Sequence, residues 1–292
     1  MRAIVQPDAG LAPVVQAMRR ARRSIDICIF RLDRKEIEAA LAAAVKRGVR
    51  VRALIANTNR GGEPNLRKLE QRLLAGGIMV TRTDDELVRY HGKYMVADDV
   101  LYVFGFNFTR IDIAKSRSFA IGTRDLRTVK EALKLFESDS TRQPYSPARC
   151  NLVVSPETAR DMLARFIGGA KKELAIYDIN IHDPAMIKLL KERARKGVQI
   201  RVIGSLHEAI DQVTVRRPQG LRLHVRAIIR DGTRAFVGSQ SLRKLELDKR
   251  REIGVLINNP AVTRQLMQVF ESDWALQMDT AAKEPKSQAA AT

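Results

Sequence analysis

Two histidines head matching short patterns, and they are where this chain could do chemistry. The first pattern reads His91-Gly92-Lys93, four residues, then Asp98; the second reads His224-Val225-Arg226, four residues, then Asp231. The chain has only four histidines, and each of these two is followed by a turn bearing Asn or Ser, Phe104-Gly105-Phe106-Asn107 and Gly238-Ser239-Gln240-Ser241. An imidazole paired with a cation suits phosphoryl transfer without a metal. The ring supplies a nucleophile or an acid, and the cation holds phosphate oxygens as charge builds on them.

The elements that must position these residues are also duplicated. In the first half, residues 24–30 (SIDICIF) form a β-rich run. Asp33 is expected as a helix N-cap with Glu36 three residues on, a capping-box pattern. Ile37, Leu41, Ala44 and Val45 recur at helical spacing, Gly48 closes the helix, and residues 49–55 give the next strand. In the second half, residues 173–177 are the strand, Asp183-Pro184 fits an N-cap and first helical position, and Ile187, Leu190 and Ala194 supply the apolar stripe. Gly197 stops that helix, and residues 198–203 follow as a strand. Each half ends in a helix carrying the same tetrapeptide, Phe136-Glu137-Ser138-Asp139 and Phe270-Glu271-Ser272-Asp273.

Strands alternating with helices imply an α/β sandwich in each half. The division expected is residues 1–148 and 149–276, with 277–292 as a disordered tail lacking apolar periodicity. The halves differ between the helix-ending glycine and the histidine, where the first carries an insertion. Its loop, 57–65, and helix, 66–74, are expected to border the site and help select substrate, or to be a tolerated surface elaboration.

The charge is extreme: 52 Lys and Arg against 33 Asp and Glu give +19, and the excess is shared between the halves. Such a surface draws in a polyanion, with nucleic acid and an anionic membrane face both qualifying. Two cysteines, Cys28 and Cys150, make no disulfide framework and imply reduced thiols. No run approaches the roughly 18 apolar residues of a spanning helix, and no signal peptide is read, so a soluble cytoplasmic protein is expected. No metal-ligand spacing is present and no cofactor is implied.

On these residues the chain resembles the phospholipase D superfamily, whose mark is a duplicated His-x-Lys-x4-Asp with a Gly/Ser/Asn turn after each copy. The resemblance runs from about Leu11 to Trp274. It implies two pseudo-symmetric α/β/α halves with the active site at their seam. It implies a phosphodiesterase acting through a phosphohistidine, with hydrolysis and transfer to an alcohol sharing the same residues. Glu252 matches a carboxylate that crosses the seam to hold the opposite histidine, so His91 is the expected nucleophile and His224 the general acid/base. The matching position in the first half is Ser118, leaving His224 without an equivalent partner. Lys93 and Arg226 would bind the non-bridging oxygens, Arg226 standing where lysine is usual.

The turns also depart from the family pattern. The first is read as one residue short and keeps Asn107; the second keeps Ser239 but has Ser241 where asparagine is usual. Asp98 and Asp231 are expected to be structural, bonding backbone amides. Arg250 and Arg251, next to Lys249 and just before Glu252, are candidate anion contacts along with Ser241. His182 and His207 are read as surface residues, and 19–23 (RRARR) as a solvated helix face.

A phospholipid substrate is favoured, since the layout matches single-chain, two-motif enzymes, with peripheral contact to an anionic membrane; a monomer suffices. A metal-independent nuclease of the same superfamily is the alternative. A non-catalytic polyanion binder with a decayed site is the reading from another class, motivated by Arg226, Ser118, Ser241 and the deviant first turn.

Overall fold

The computed structural model describes residues 1–59, 61–218 and 220–276; the expected tail, 277–292, lies outside the described residues. Two eight-stranded sheets carry the chain. The first runs Arg2–Gln6, Ser116–Thr123, Val100–Phe104, Tyr94–Ala97, Ser24–Ile29, Arg50–Ile55 and Met79–Arg82. The second runs Val213–Arg216, Gln199–Leu206, Glu173–Ile181, Arg226–Arg230, Arg234–Gly238 and Arg250–Ile257, with Leu152–Ser155 antiparallel to the last strand. In both sheets a β-α-β unit makes a parallel pair, and an antiparallel hairpin following the histidine is laid beside it.

The apolar stripes sort the helices into layers. Ala12–Arg20, Lys35–Lys46 and Glu63–Ala75 cover the outer face of the first sheet. Ala159–Gly168 and Pro184–Arg195 do the same for the second. The long helices Leu126–Thr141 and Pro260–Leu276 share one central core with the inner faces of both sheets. That continuous core, burying Phe119, Phe136, Tyr177, Val225, Ile253 and Phe270, joins the halves into one hydrophobic unit.

The repeated tetrapeptide has a physical reason. In each half its Phe packs under an arginine of the second parallel strand, Arg52 at 4.8 Å from the Phe136 ring and Arg201 at 5.2 Å from Phe270. The Glu then pairs with that same arginine, Glu137 with Arg52 at 2.8 Å and Glu271 with Arg201 at 2.6 Å. The Asp reaches across to the other half: Asp139 holds Arg251 at 3.1 Å, and Asp273 holds Arg117 at 2.8 Å. Two reciprocal clamps therefore fix the strands on which the site is built.

A shorter exchange brings the histidines to the seam. Arg89–Tyr90 leaves the first half to pair with Arg250 and Arg251 of the second sheet. In return, Arg222–Leu223 pairs with Ser116 and Arg117 of the first. The next residue in each case is a histidine. His91 donates its backbone N–H to Arg251 O, and His224 donates to Arg117 O. Each histidine is thus anchored by the opposite half's main chain.

Two local expectations change. The helix after the strand Ser24–Ile29 begins at Lys35 with Arg34 at the N-cap and no side-chain cap. Asp33 instead accepts the Arg110 backbone N–H at 2.9 Å, which ties this loop to the turn beyond Asn107. The first turn is also not short. Lys93 lies opposite Phe104 across its hairpin, and Arg226 lies opposite Gly238, so the two turns start in register. The missing residue is at the far hairpin tip, where Asp98-Asp99 joins Ala97 to Val100 while Asp231-Gly232-Thr233 joins Arg230 to Arg234. Asp183, with Pro184 next, does cap its helix, accepting from Ala185 and Met186.

Candidate active site at the seam

His91, Lys93, His224, Arg226 and Glu252 converge where the two sheets exchange strands. The Glu252 carboxylate is fully buried and accepts from His91 Nδ1, with Oε2 at 2.8 Å and Oε1 at 3.0 Å. A proton on Nδ1 leaves the Nε2 lone pair outward. Lys93 Nζ donates to that lone pair at 3.0 Å and to the His91 carbonyl at 2.6 Å. Phe30 sets its ring edge-on to the imidazole, with centroids 4.5 Å apart, and fixes its tilt.

Burial lowers the His91 pKa to about 4, helped by Lys93 and Arg226 and opposed by Glu252. The ring is therefore neutral and nucleophilic across the physiological range. Burial also lowers Lys93 to about 7, with Arg226 adding to the fall and Glu252 and Asp112 opposing it. For Glu252, burial pushes upward, but the His91 ring and Lys93 outweigh it and the carboxyl stays below its usual range.

His224 has a different setting. Burial holds its pKa well below the ordinary value, reinforced by Arg226, Lys93, Arg222 and His91. These charges act on it from both halves, Lys93 and His91 from the first and Arg226 and Arg222 from the second. Its nearest carboxylate is Asp112, whose Oδ2 lies 3.6 Å from Nδ1, beyond hydrogen-bond reach. Asp112 lies on the short helix Arg110–Ala114 and is gripped by the Asn107 N–H, by Asn107 Nδ2 at 2.7 Å and by Arg222 at 2.6 Å. The sequence reading left His224 without a counterpart to Glu252; the structure supplies Asp112, from a helix instead of the matching strand position, Ser118.

The remaining candidates are placed as follows. Arg226 Nε donates to Ser241 Oγ at 3.1 Å, and the buried carboxylate of Asp178 lies behind that pair. Ser239 exchanges hydrogen bonds with the Ile253 backbone and lies against Glu252. Asp98 accepts the backbone N–H groups of Arg22, Arg23 and Ser24, and Asp231 accepts those of Lys171, Lys172 and Glu173. Arg250 pairs with Glu246 at 3.0 Å. Arg251 is not an anion contact: it is buried, and Asp139, Glu157 and the Ser155 carbonyl take its donors. His182 and His207 are exposed, with ring centroids 3.8 Å apart.

Asp178 was missed because it does not repeat between the halves, and Asp112 because its counterpart is a different acidic residue on a helix of only five residues. The position matching Asp112 in the second short helix, Lys244–Asp248, is Glu246, and that acidic pairing was the available signal. Among the described residues, no group of three or more His, Cys, Asp or Glu side chains is placed to share a metal ion. No helix among them is long and apolar enough to cross a membrane.

A family model described as cardiolipin synthase, PLD-like domain, matches residues 14–140 and 163–274. The chain belongs to this phospholipase D-like family. Its members are phosphodiesterases and phosphotransferases. The fold is shared with a polyphosphate kinase from Porphyromonas gingivalis (TM-score 0.78, 18% identity), covering 94% of this chain and 50% of that one. It is shared too with a phosphatidylserine synthase from Haemophilus influenzae (TM-score 0.70, 12% identity), covering 95% and 86% respectively. The chain thus spans half the length of the kinase it matches. A search of curated proteins finds no sequence match. Both structural relatives of this phospholipase D-like chain share its two-sheet architecture.

Proposed function

We propose that the chain cleaves or transfers a phosphodiester through a phosphohistidine on His91. The observation that carries this is the Glu252–His91–Lys93 line: a carboxylate on Nδ1, and a cation at Nε2 that an arriving phosphate oxygen would draw off the lone pair. His91 Nε2 attacks phosphorus, forming the P–N bond as the P–O bond to the leaving group breaks. His224 gives its proton to the departing oxygen. Water or an alcohol then returns a proton to His224 and attacks phosphorus, and the P–N bond breaks. Lys93 and Arg226 hold the non-bridging oxygens throughout. An arriving phosphodiester anion offsets the cations around His224, so the ring regains proton affinity where the acid is needed.

Phospholipid is the substrate class favoured. Val88 and Ile111 are 61% and 56% exposed, one three residues before His91 and the other beside Asp112. Apolar side chains next to Arg89, Arg110 and Arg222 suit a surface resting on an anionic bilayer. The family description and the phosphatidylserine synthase fold point the same way.

The test is purified protein with a chelator, assayed side by side on anionic phospholipid vesicles and on single- and double-stranded nucleic acid. Head-group release, with an acid-labile phosphate adduct on His91, supports the proposal. Cleaved strands move the substrate to nucleic acid. Anion binding without turnover on any substrate leaves a non-catalytic polyanion binder.

A further inference from the structure

The pseudo-symmetry of the halves exposes an open pocket in the first whose counterpart in the second is filled. Asp98 and Asp231 make the same three amide contacts in their halves, so the surrounding residues can be matched one by one. Counting back from those amides, Ala17 corresponds to Phe166 and Arg20 to Gly169. Counting along the hairpins, Ala97 corresponds to Arg230 and Tyr102 to Phe236. In the second half the gap between helix and hairpin is filled. The Arg230 guanidinium lies 4.8 Å over the Phe166 ring and donates to the Phe166 carbonyl at 3.0 Å. It also presses so closely on Gly169 that a Cβ there would sit 2.4 Å from it.

In the first half both filling residues are alanine, and a cavity of about 340 Å³ remains. Arg2, Arg20 and Arg124 line it together with Tyr102, over a floor of Ile4, Pro13 and Ala17. Its acidic neighbours are already engaged: Asp98 by three backbone amides and Asp99 by Arg23 at 2.5 Å. Burial raises the Tyr102 phenol against the downward pull of Arg124, Arg2 and Arg20, so all three guanidiniums act on this one spot. The site is also separate from the seam. Lys93 precedes the strand Tyr94–Ala97, and the cavity lies at its other end.

We propose that this cavity is a second anion site, which takes a small soluble phosphomonoester. The phosphate meets Arg2, Arg20 and Arg124, and the ring or chain of the ester lies on Ile4, Pro13 and Ala17. A dianion answers three guanidiniums better than a carboxylate, and arginine forks match its oxygens in pairs. The volume lies within the range of small-molecule sites.

Isothermal titration with phenyl phosphate tests this on the full chain and on two variants. Ala17→Phe restores the plug that the second half carries; Arg20→Gln with Arg124→Gln removes charge from exposed side chains and leaves the packing alone. Each variant is expected to bind one phenyl phosphate fewer than the parent, or to bind it roughly tenfold or more weakly at that site. Turnover of a model phosphodiester is expected to be unchanged. An equal number of sites with equal affinity in all three proteins overturns the proposal. So does loss of binding to phosphatidylglycerol vesicles in the double variant when the parent shows no cavity site for phenyl phosphate, because the arginines then serve a lipid surface.

Discussion

His91 and His224 each meet a carboxylate from the opposite half, yet by different means. Glu252 stands on a central strand, is wholly buried, and bonds Nδ1 of His91 at 2.8 Å. Asp112 stands on a helix of five residues and stops 3.6 Å short of Nδ1 of His224. A ring locked by a strand carboxylate keeps one tautomer and one orientation, which suits a nucleophile. A ring with a nearby but unbonded carboxylate can gain and lose a proton with little rearrangement, which suits an acid that must later act as a base. On the proposed mechanism, the difference between the halves is a division of labour.

The hardest test of that division is removal of each ring. His91→Ala should lower kcat by roughly 10⁴-fold or more and abolish the phosphohistidine. His224→Ala should spare the first step when the leaving group is a good one such as nitrophenol. Rapid-quench measurement of the adduct checks both, and an adduct that survives His91→Ala reverses the assignment. Next in size, Glu252→Gln should cost roughly 10³-fold in kcat, against roughly tenfold for Asp112→Asn. Adding Ser118→Glu to Asp112→Asn should restore part of the loss, since Ser118 is the register counterpart of Glu252. Equal losses from the two carboxylate variants would erase the contrast.

A smaller effect concerns the clamps. Asp139→Asn takes one of two carboxylates from the buried Arg251, and Asp273→Asn takes the nearer of two from the half-buried Arg117, so each should lower unfolding free energy by about 1–3 kcal/mol in urea titration. Since each clamp crosses between halves, both variants should still unfold in one transition; two separate transitions would show independent halves. The smallest effect is in the pH profile. Lys93, lowered to about 7 by burial, loses its charge as pH rises, so kcat/KM should fall above about 7. Lys93→Arg copies the cation of the second half, stays charged, and should flatten that alkaline limb while lowering the plateau by about tenfold. An unchanged limb would show that another group titrates there.

Much of this was legible in the residues. The strand, helix and glycine order predicted the two sheets, because apolar spacing reports which face each element buries. The matched histidines and their cations could be placed because they repeat, and Glu252 because the family resemblance puts a carboxylate at that position. What could not be read is where one half serves the other through non-matching elements. Asp112 replaces the carboxylate that Ser118 lacks, but from a different element, so matching the strand of Ser118 to that of Glu252 does not find it. Arg251 looked like a free cation beside Glu252 because its partner, Asp139, is on a helix of the other half. Asp33 had the spacing of a capping box, but a long-range backbone N–H at Arg110 claimed its oxygen.

The strand exchange at the seam carries a further consequence. Trading a short β segment between two equal units is what a domain-swapped homodimer does. The molecule has the architecture of such a dimer whose two subunits have been fused into a single polypeptide. Cutting the backbone between Arg142 and Arg149 and co-expressing the two pieces should therefore yield an obligate heterodimer, in which neither fragment holds its own imidazole in place.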